Sequence, residues 1–197
     1  KKWVRPISKT YLRRKDYLRM KVTPLKIPDV LLIEPRVFED ARGFFFESFR
    51  EDIFRKETSL NVSFVQDNQS LSQKNILRGL HFQKPPHAQG KFVRVIKGSV
   101  LDVVVDVRTE SPTFGHHFKV VLSEENFKAM FIPAGFAHGF ITLEDHTIFS
   151  YKCTDYYYPE TEGGLAWDCP KLNIDWGIDH PILSDKDTQN PGISEFN

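Results

Sequence analysis

The sequence predicts an all-β domain, a jelly-roll barrel with a few short helices. Three observations lead there. Short β-prone runs recur at close intervals, Phe is abundant at 17 against two Met, and neither a long amphipathic helix nor an internal repeat is visible. At 197 residues the chain is long enough for one domain with a sizeable core. Gly and Pro together number 23, ordinary usage for a globular chain.

Taken in order, "DVLLIEP" (29–35), "GFFFESF" (43–49) and "VSFVQDN" (62–68) are short runs suited to strands, separated by polar stretches. "EDIFRKET" (51–58) is the best helix candidate, and it is short. "ILRGLHFQ" (76–83) reads as a strand into which Arg78, Gly79 and His81 are set. Residues 91–108, "KFVRVIKGSVLDVVVDVR", read as a hairpin turning at Lys97-Gly98-Ser99. In its second arm Leu101, Val103, Val105 and Val107 share one face, and Asp102, Asp106 and Arg108 share the other. "TFGHHFKVVLS", "AMFIPAGFAHGFITLE" and "HTIFSYKCTDYYY" extend the pattern to residue 158. From Cys169 onward the text is irregular and signals neither helix nor strand.

No apolar stretch approaches the length of a membrane span, and the N-terminus lacks the apolar core of a secretory signal. Cys153 and Cys169 read as two reduced thiols, and the expected compartment is the cytoplasm. A formal charge of +1 hides an asymmetry. Residues 1–19 carry eight Lys or Arg and one Asp, whereas the other 178 residues carry 19 basic and 25 acidic side chains. Met20 is read as the natural start, residues 1–19 as an added basic leader and 20–197 as the single domain; a basic arm for nucleic acid or acidic lipid is the alternative. Without the leader the body is mildly acidic, so neither nucleic acid nor membrane is an expected partner.

Nucleotide and nucleophile motifs are missing: there is no GxGxxG, P-loop, CxxC or GxSxG. What remains is histidines and basic residues set on strands. "IPAGFAHGF" (132–140), with Pro133-x-Gly135-x-x-His138, resembles the second signature of the cupin superfamily of small jelly-roll barrels. In metal-binding cupins that histidine is one ligand, and an upstream HxH followed by Glu supplies the others. Here His81 and His87 are six apart, and adjacent His116 and His117 point to opposite sides of a strand. A triad of His81, His87 and His138 is the remaining metal alternative. The expectation is a barrel with no metal.

"RGLHFQ", "AQGKFVRVIKG", "IPAGFAHGF" and "YKCTDYYYPE" together resemble the dTDP-4-dehydrorhamnose 3,5-epimerase family. "EPRVFEDARGFFFESF" and "FVQDNQSLS" support this, so the likeness runs from about Asp29 to Asp187. It implies epimerisation at the two carbons flanking the ketone of a dTDP-linked 4-keto-6-deoxyhexose, dTDP-4-dehydro-6-deoxy-D-glucose, yielding dTDP-4-dehydro-L-rhamnose. Such chemistry needs a base, an electrostatic partner for the enolate oxygen and an acid on the opposite face, with no cofactor. By resemblance His81 is the base, Asp187 holds its ring, Lys91 faces the enolate and Tyr151 is the proton donor. Taken alone, His81 reads as a core histidine, Lys91 as an exposed lysine and Tyr151 as a packed strand tyrosine; the surrounding motifs change that. The family's substrate-binding positions fall on Arg42, Glu47, Gln66, Asp67, Asn68, Arg78, His138, Tyr157, Glu162 and Lys186. Arg78 would take the diphosphate, Tyr157 would stack on thymine, and Arg42 and Glu47 would cross the interface of a homodimer.

Arg78 and His81 lie three apart, which in an unbroken strand sends them to opposite sides. Gly79 between them permits a bulge that turns both toward one cavity. The alternatives in activity are a C3-only epimerase, a 3,4-ketoisomerase, a non-catalytic sugar-binding cupin and a metal-dependent cupin oxygenase.

Overall fold

The computed structural model describes residues 20–196 except Pro28, so the leader expected over residues 1–19 lies outside the described residues. In chain order the elements are β1 (Lys21–Pro24), β2 (Leu31–Glu34), β3 (Phe38–Asp40), β4 (Gly43–Phe45), α1 (Glu51–Thr58), β5 (Gln66–Ser72), β6 (Leu77–Gln83), β7 (Lys91–Lys97), β8 (Ser99–Asp106), β9 (His117–Ser123), β10 (Ala129–Ile132), β11 (Phe136–Thr142), β12 (Thr147–Cys153) and β13 (Glu162–Gly164). They form a six-stranded sheet ordered β1-β2-β10-β7-β12-β5, a five-stranded sheet ordered β13-β6-β11-β8-β9, and a separate β3-β4 hairpin. Neighbours pair antiparallel, and the two large sheets close on one another as the expected jelly roll.

One expectation is corrected. Residues 91–108 are not a hairpin, because β7 pairs with β10 and β12 whereas β8 pairs with β11 and β9. Lys97-Gly98-Ser99 is a corner between the sheets. Gly98 turns there at φ +77°, and a Cβ on it would meet the Thr147 hydroxyl at 2.5 Å. The chain uses hairpin-like residues at that point to change layer.

Between the sheets lies the first core, including Val93, Val95, Val100, Val104, Met130 and Phe149. Strands here are buried on both faces, which explains the nearly unbroken valines of β8. Val100 and Val104 face inward, while Val103 and Val105 meet an outer layer. That layer is the irregular stretch beyond Cys169: Leu172, Trp176 and Ile193 cover the outer face of the five-stranded sheet. Its apolar residues follow no period because they fit a surface made elsewhere in the chain. Asp102 and Asp106 alternate onto the inner face and are both buried.

The outer face of the six-stranded sheet is covered by α1. Glu51 and Asp52 stand in its first turn and Arg55 and Lys56 in its last, an arrangement that complements the helix dipole. Phe54 is its buried residue and meets Phe49, Phe64, Phe92 and Phe131, mostly edge to face. Burying one such ring stabilises the fold by about 2–3 kcal/mol, and each ring pair adds about 0.5–1.5 kcal/mol. The many phenylalanines thus form a seam. Cys153 and Cys169 are both free and buried. No described helix is long and apolar enough to cross a membrane.

Asp106 closes one end of the barrel. Its carboxylate accepts from the Arg108 guanidinium at 2.7 and 2.9 Å and from the hydroxyls of Ser111 and Thr113 at 2.6 Å each. Burial alone would push its pKa up, but these donors hold it down at about 2. A carboxyl depressed in the folded state stabilises above its unfolded pKa of about 3.9 and loses that contribution as pH falls through the folded value. Asp106→Asn is therefore expected to cost on the order of 2 kcal/mol at neutral pH. Its thermal melts should converge with those of the unsubstituted chain between about pH 5 and pH 2; a gap independent of pH would refute the assignment.

Candidate active site

The strand quoted as "ILRGLHFQ" forms one wall. Across β6 and β11, His81 pairs with His138 and Arg78 with Phe140, so β6 uses three residues where β11 uses two. This is a bulge at Gly79, and it turns Arg78 and His81 to the same cavity. Gly79 holds φ +127° and packs so closely that a Cβ would lie 2.5 Å from Gly139 Cα. No side chain fits there.

The cavity is about 570 Å³ and opens between the sheets, with His81, Lys91, His138, Tyr151 and Asp187 in its wall. A smaller lobe of about 320 Å³ shares His81, Lys91, Tyr151 and Asn68 and leads to Gln66, Tyr157 and Glu162. A larger groove of about 870 Å³ lies beyond Phe82 and Phe196; His81, Lys91 and Tyr151 do not line it, so chemistry rather than size identifies the site. His81 projects from the five-stranded sheet and Tyr151 from the six-stranded sheet. Lys91, at the start of β7, reaches across and donates to the His81 carbonyl at 3.2 Å.

Asp187 arrives from far along the chain. A parallel bridge between Ile76 and Ile182 lays residues 182–187 beside the start of β6. Its carboxylate, 4% exposed, lies 2.5 Å from His81 Nε2. Burial would push its pKa up, but hydrogen bonds from His81, Ser184 and the Gly79 N–H more than offset this and hold it below the usual range. An ionised carboxylate can only accept, so His81 Nε2 carries a proton, and in the neutral ring Nδ1 is the nitrogen that bears the lone pair.

Burial pushes the Lys91 pKa down, partly countered by Cys153, Asp102 and Glu162. Burial pushes the Tyr151 phenol up, with Cys153 and Glu162 adding to it and Arg78 opposing. The pocket therefore brings together a buried phenol, a buried lysine amine and an imidazole whose other nitrogen is held by Asp187. Such a set can move a proton between opposite walls and stabilise an oxyanion between them.

Asp102 was missed by sequence reasoning. It is fully buried beneath the pocket, and both its oxygens lie 3.0 Å from His138 Nε2. Burial raises its pKa against the pull of His138 and Lys91. The available signal was an aspartate on the inward side of a valine strand, which needs a buried partner.

The remaining sequence-selected residues divide. Gln66 and Asn68 face inward, but Asp67, between them, points outward to Lys152 at 2.8 Å. Arg78 reaches the cavity mouth and donates to the Ser72 hydroxyl at 3.1 Å. Glu162 joins Lys186 at 2.5 Å to the Tyr157 hydroxyl at 2.7 Å. Burial would raise the Glu162 pKa, yet those two donors hold it low. Arg42 and Glu47 lie outside the cavity: Arg42 pairs with Asp40 on the exposed hairpin, and Glu47 accepts from Arg50 at 3.4 Å. His87 points to Asp155 at 3.1 Å, so the triad His81, His87 and His138 does not converge. Among the described residues, no three His, Cys, Asp or Glu side chains are grouped to hold a metal ion.

The sequence pattern of dTDP-4-dehydrorhamnose 3,5-epimerase matches residues 24–195. The dTDP-4-dehydrorhamnose 3,5-epimerase of Salmonella typhimurium is 51% identical over 177 residues, covering 89% of this chain and 97% of that protein. The dTDP-6-deoxy-D-glucose-3,5-epimerase of Legionella pneumophila, solved in complex with dTDP-4-keto-L-rhamnose, superposes with a TM-score of 0.86 at 45% identity, covering 89% of this chain and 94% of that one. A 3′-monoepimerase from Streptomyces bikiniensis, solved with dTDP-quinovose, gives a TM-score of 0.82 at 36% identity, covering 87% of each chain.

Proposed function

The chain belongs to the dTDP-4-dehydrorhamnose 3,5-epimerase family and is an epimerase of this class; we propose that it works with His81 as base, Tyr151 as acid and Lys91 as the partner of the enolate oxygen. The reaction inverts C3 and C5 of dTDP-4-dehydro-6-deoxy-D-glucose and yields dTDP-4-dehydro-L-rhamnose. One observation carries the assignment of roles: His81 and Tyr151 stand on opposed sheets across a single cavity, with Lys91 beside His81.

A C–H beside the C4 ketone is acidic once the electron pair it leaves can move onto the carbonyl oxygen. His81 Nδ1 removes that proton, and the charge arriving at the C4 oxygen meets the Lys91 ammonium. Asp187 steadies the imidazolium through Nε2. The Tyr151 hydroxyl then gives its proton to the same carbon from the opposite face, which inverts it. His81 then releases its proton to solvent and Tyr151 regains one from solvent, and repetition at the other neighbour of the ketone completes the change. Arg78 and Lys186 at the cavity wall suit the diphosphate, and Tyr157 in the smaller lobe suits the pyrimidine base.

In heavy water, each carbon is reprotonated from solvent-exchanged groups. NMR of the product is expected to show one deuterium at C3 and one at C5. Unlabelled product would overturn the mechanism, and label at C3 alone would assign the chain to the one-carbon reaction instead. Tyr151→Phe should separate the half-reactions. His81 would still exchange the substrate proton, returning deuterium to its own face, while net inversion slows about 10²-fold or more.

In the same reading the enzyme acts in the cytosol as a homodimer, and Arg42 and Glu47 enter the pocket of the second copy. The hairpin that bears Arg42 rests Phe44 on Phe127, with ring centroids 4.8 Å apart, yet leaves Phe44 and Phe45 60% and 66% exposed, a surface in want of cover. A monomer in analytical ultracentrifugation at assay concentration would remove this part.

A further inference from the structure

The segment from Asp155 to Tyr158 has no regular secondary structure, yet its main chain is held residue by residue. The Gln89 amide donates to the Asp155 carbonyl at 2.7 Å, and Gln66 accepts from the Tyr157 N–H at 3.0 Å. Gln83, 4% exposed at the end of β6, donates to the Tyr156 carbonyl at 3.0 Å and accepts from the Tyr158 N–H at 2.7 Å. His87 completes this framework from a different loop. Its carbonyl accepts from Gln83 at 2.6 Å, and its Nδ1 lies 3.1 Å from the Asp155 carboxylate. Its ring lies over Tyr158 with centroids 3.5 Å apart and planes 18° from parallel. His87 therefore grips both ends of the stretch whose interior carries Tyr157.

We propose that His87 is a positioning residue for the nucleotide end of the substrate. By pairing with Asp155 and stacking on Tyr158, it fixes the backbone that presents the Tyr157 ring to the smaller lobe. This rests on the reading that Tyr157 stacks on the pyrimidine base. Tyr157 is half exposed, and its hydroxyl donates to Glu162 at the tip of the side chain. The aim of the ring is thus set mainly by its main chain. Ordering that main chain before the substrate arrives removes an entropic cost from binding. The His87 side chain does not line either lobe of the cavity, so it acts on affinity through the Tyr157 segment and leaves proton transfer at His81 and Tyr151 alone.

The test is calorimetric titration with dTDP alongside steady-state kinetics on the sugar nucleotide. His87→Ala is expected to raise Kd for dTDP and KM together by about tenfold while kcat stays within about twofold. His87→Phe, which keeps a ring over Tyr158, should recover binding to within about threefold of the original. Tyr157→Ala is the control and should weaken dTDP binding at least as much. If Tyr157→Ala weakens binding and His87→Ala does not, the role of His87 falls while the stacking reading stands. Unchanged dTDP affinity in Tyr157→Ala overturns the stacking reading, and the role of His87 with it. A fall in kcat at constant KM in His87→Ala would also overturn the proposal, because it would place His87 in the chemistry.

Discussion

His81→Gln is expected to lower turnover by about 10³-fold and to stop deuterium entering the substrate or product in heavy water. The glutamine amide nitrogen lies about where Nε2 does and can still donate to Asp187, so the contact that seats residue 81 against the 3₁₀ turn at Asp187–Gln189 survives. What disappears is the basic nitrogen, since an amide has no lone pair able to take a carbon-bound proton near neutrality. The paired measurement is a thermal melt, which should move little. Turnover within tenfold of the original at an unchanged melting temperature would show that another group removes the proton. His138, directly across β6–β11 from His81, would be the first suspect.

Lys91→Met gives the second large effect, and its sign differs between activity and stability. Loss of the ammonium should cost about 10²–10³ in kcat, the usual effect of removing one oxyanion partner. The melting temperature should rise, because burial pushes the Lys91 pKa below 10.5 and so disfavours its charged form in the fold. The linkage follows in sign. The folded state gives up the Lys91 proton at lower pH than the unfolded chain does, so stability increases with pH between the lowered value and the ordinary one. Lys91→Met should lack that increase. Activity is expected to have the opposite slope there, since the role proposed for Lys91 needs its charged form. The alkaline limb of the rate profile should fall below the pH of an ordinary lysine, and Lys91→Arg should lose that limb because guanidinium stays charged. A variant both inactive and less stable would mean that Lys91 is structural.

Several features were legible because they depend on near neighbours. Helix α1 appears over 51–58 because acidic and basic residues stand at its two ends around one inward Phe54. The shared orientation of Arg78 and His81 could be read from a glycine between two polar residues of the wrong parity. The strands at 31–34, 117–123 and 147–153 announce themselves by composition. Motif order carried the rest of the pocket, since each chemical residue sits inside a run of text whose spacing the fold requires.

Local patterning thus determined by itself which segments would be extended and which would be helical, and the resemblance of the motifs to a known family picked out the side chains for acid–base chemistry. Tertiary structure alone decided their partners. Lys97-Gly98-Ser99 has the residues of a hairpin, but long-range pairing with β10 and β12 on one side and β11 and β9 on the other makes it a corner. Asp102 looks like any alternating polar residue until the opposing sheet and the layer beyond Cys169 seal both faces of its strand and leave His138 beside it. Asp187 meets His81 across 106 positions of sequence. Periodicity reports only which face a side chain takes, whereas burial and pairing depend on what the distant chain brings to that face.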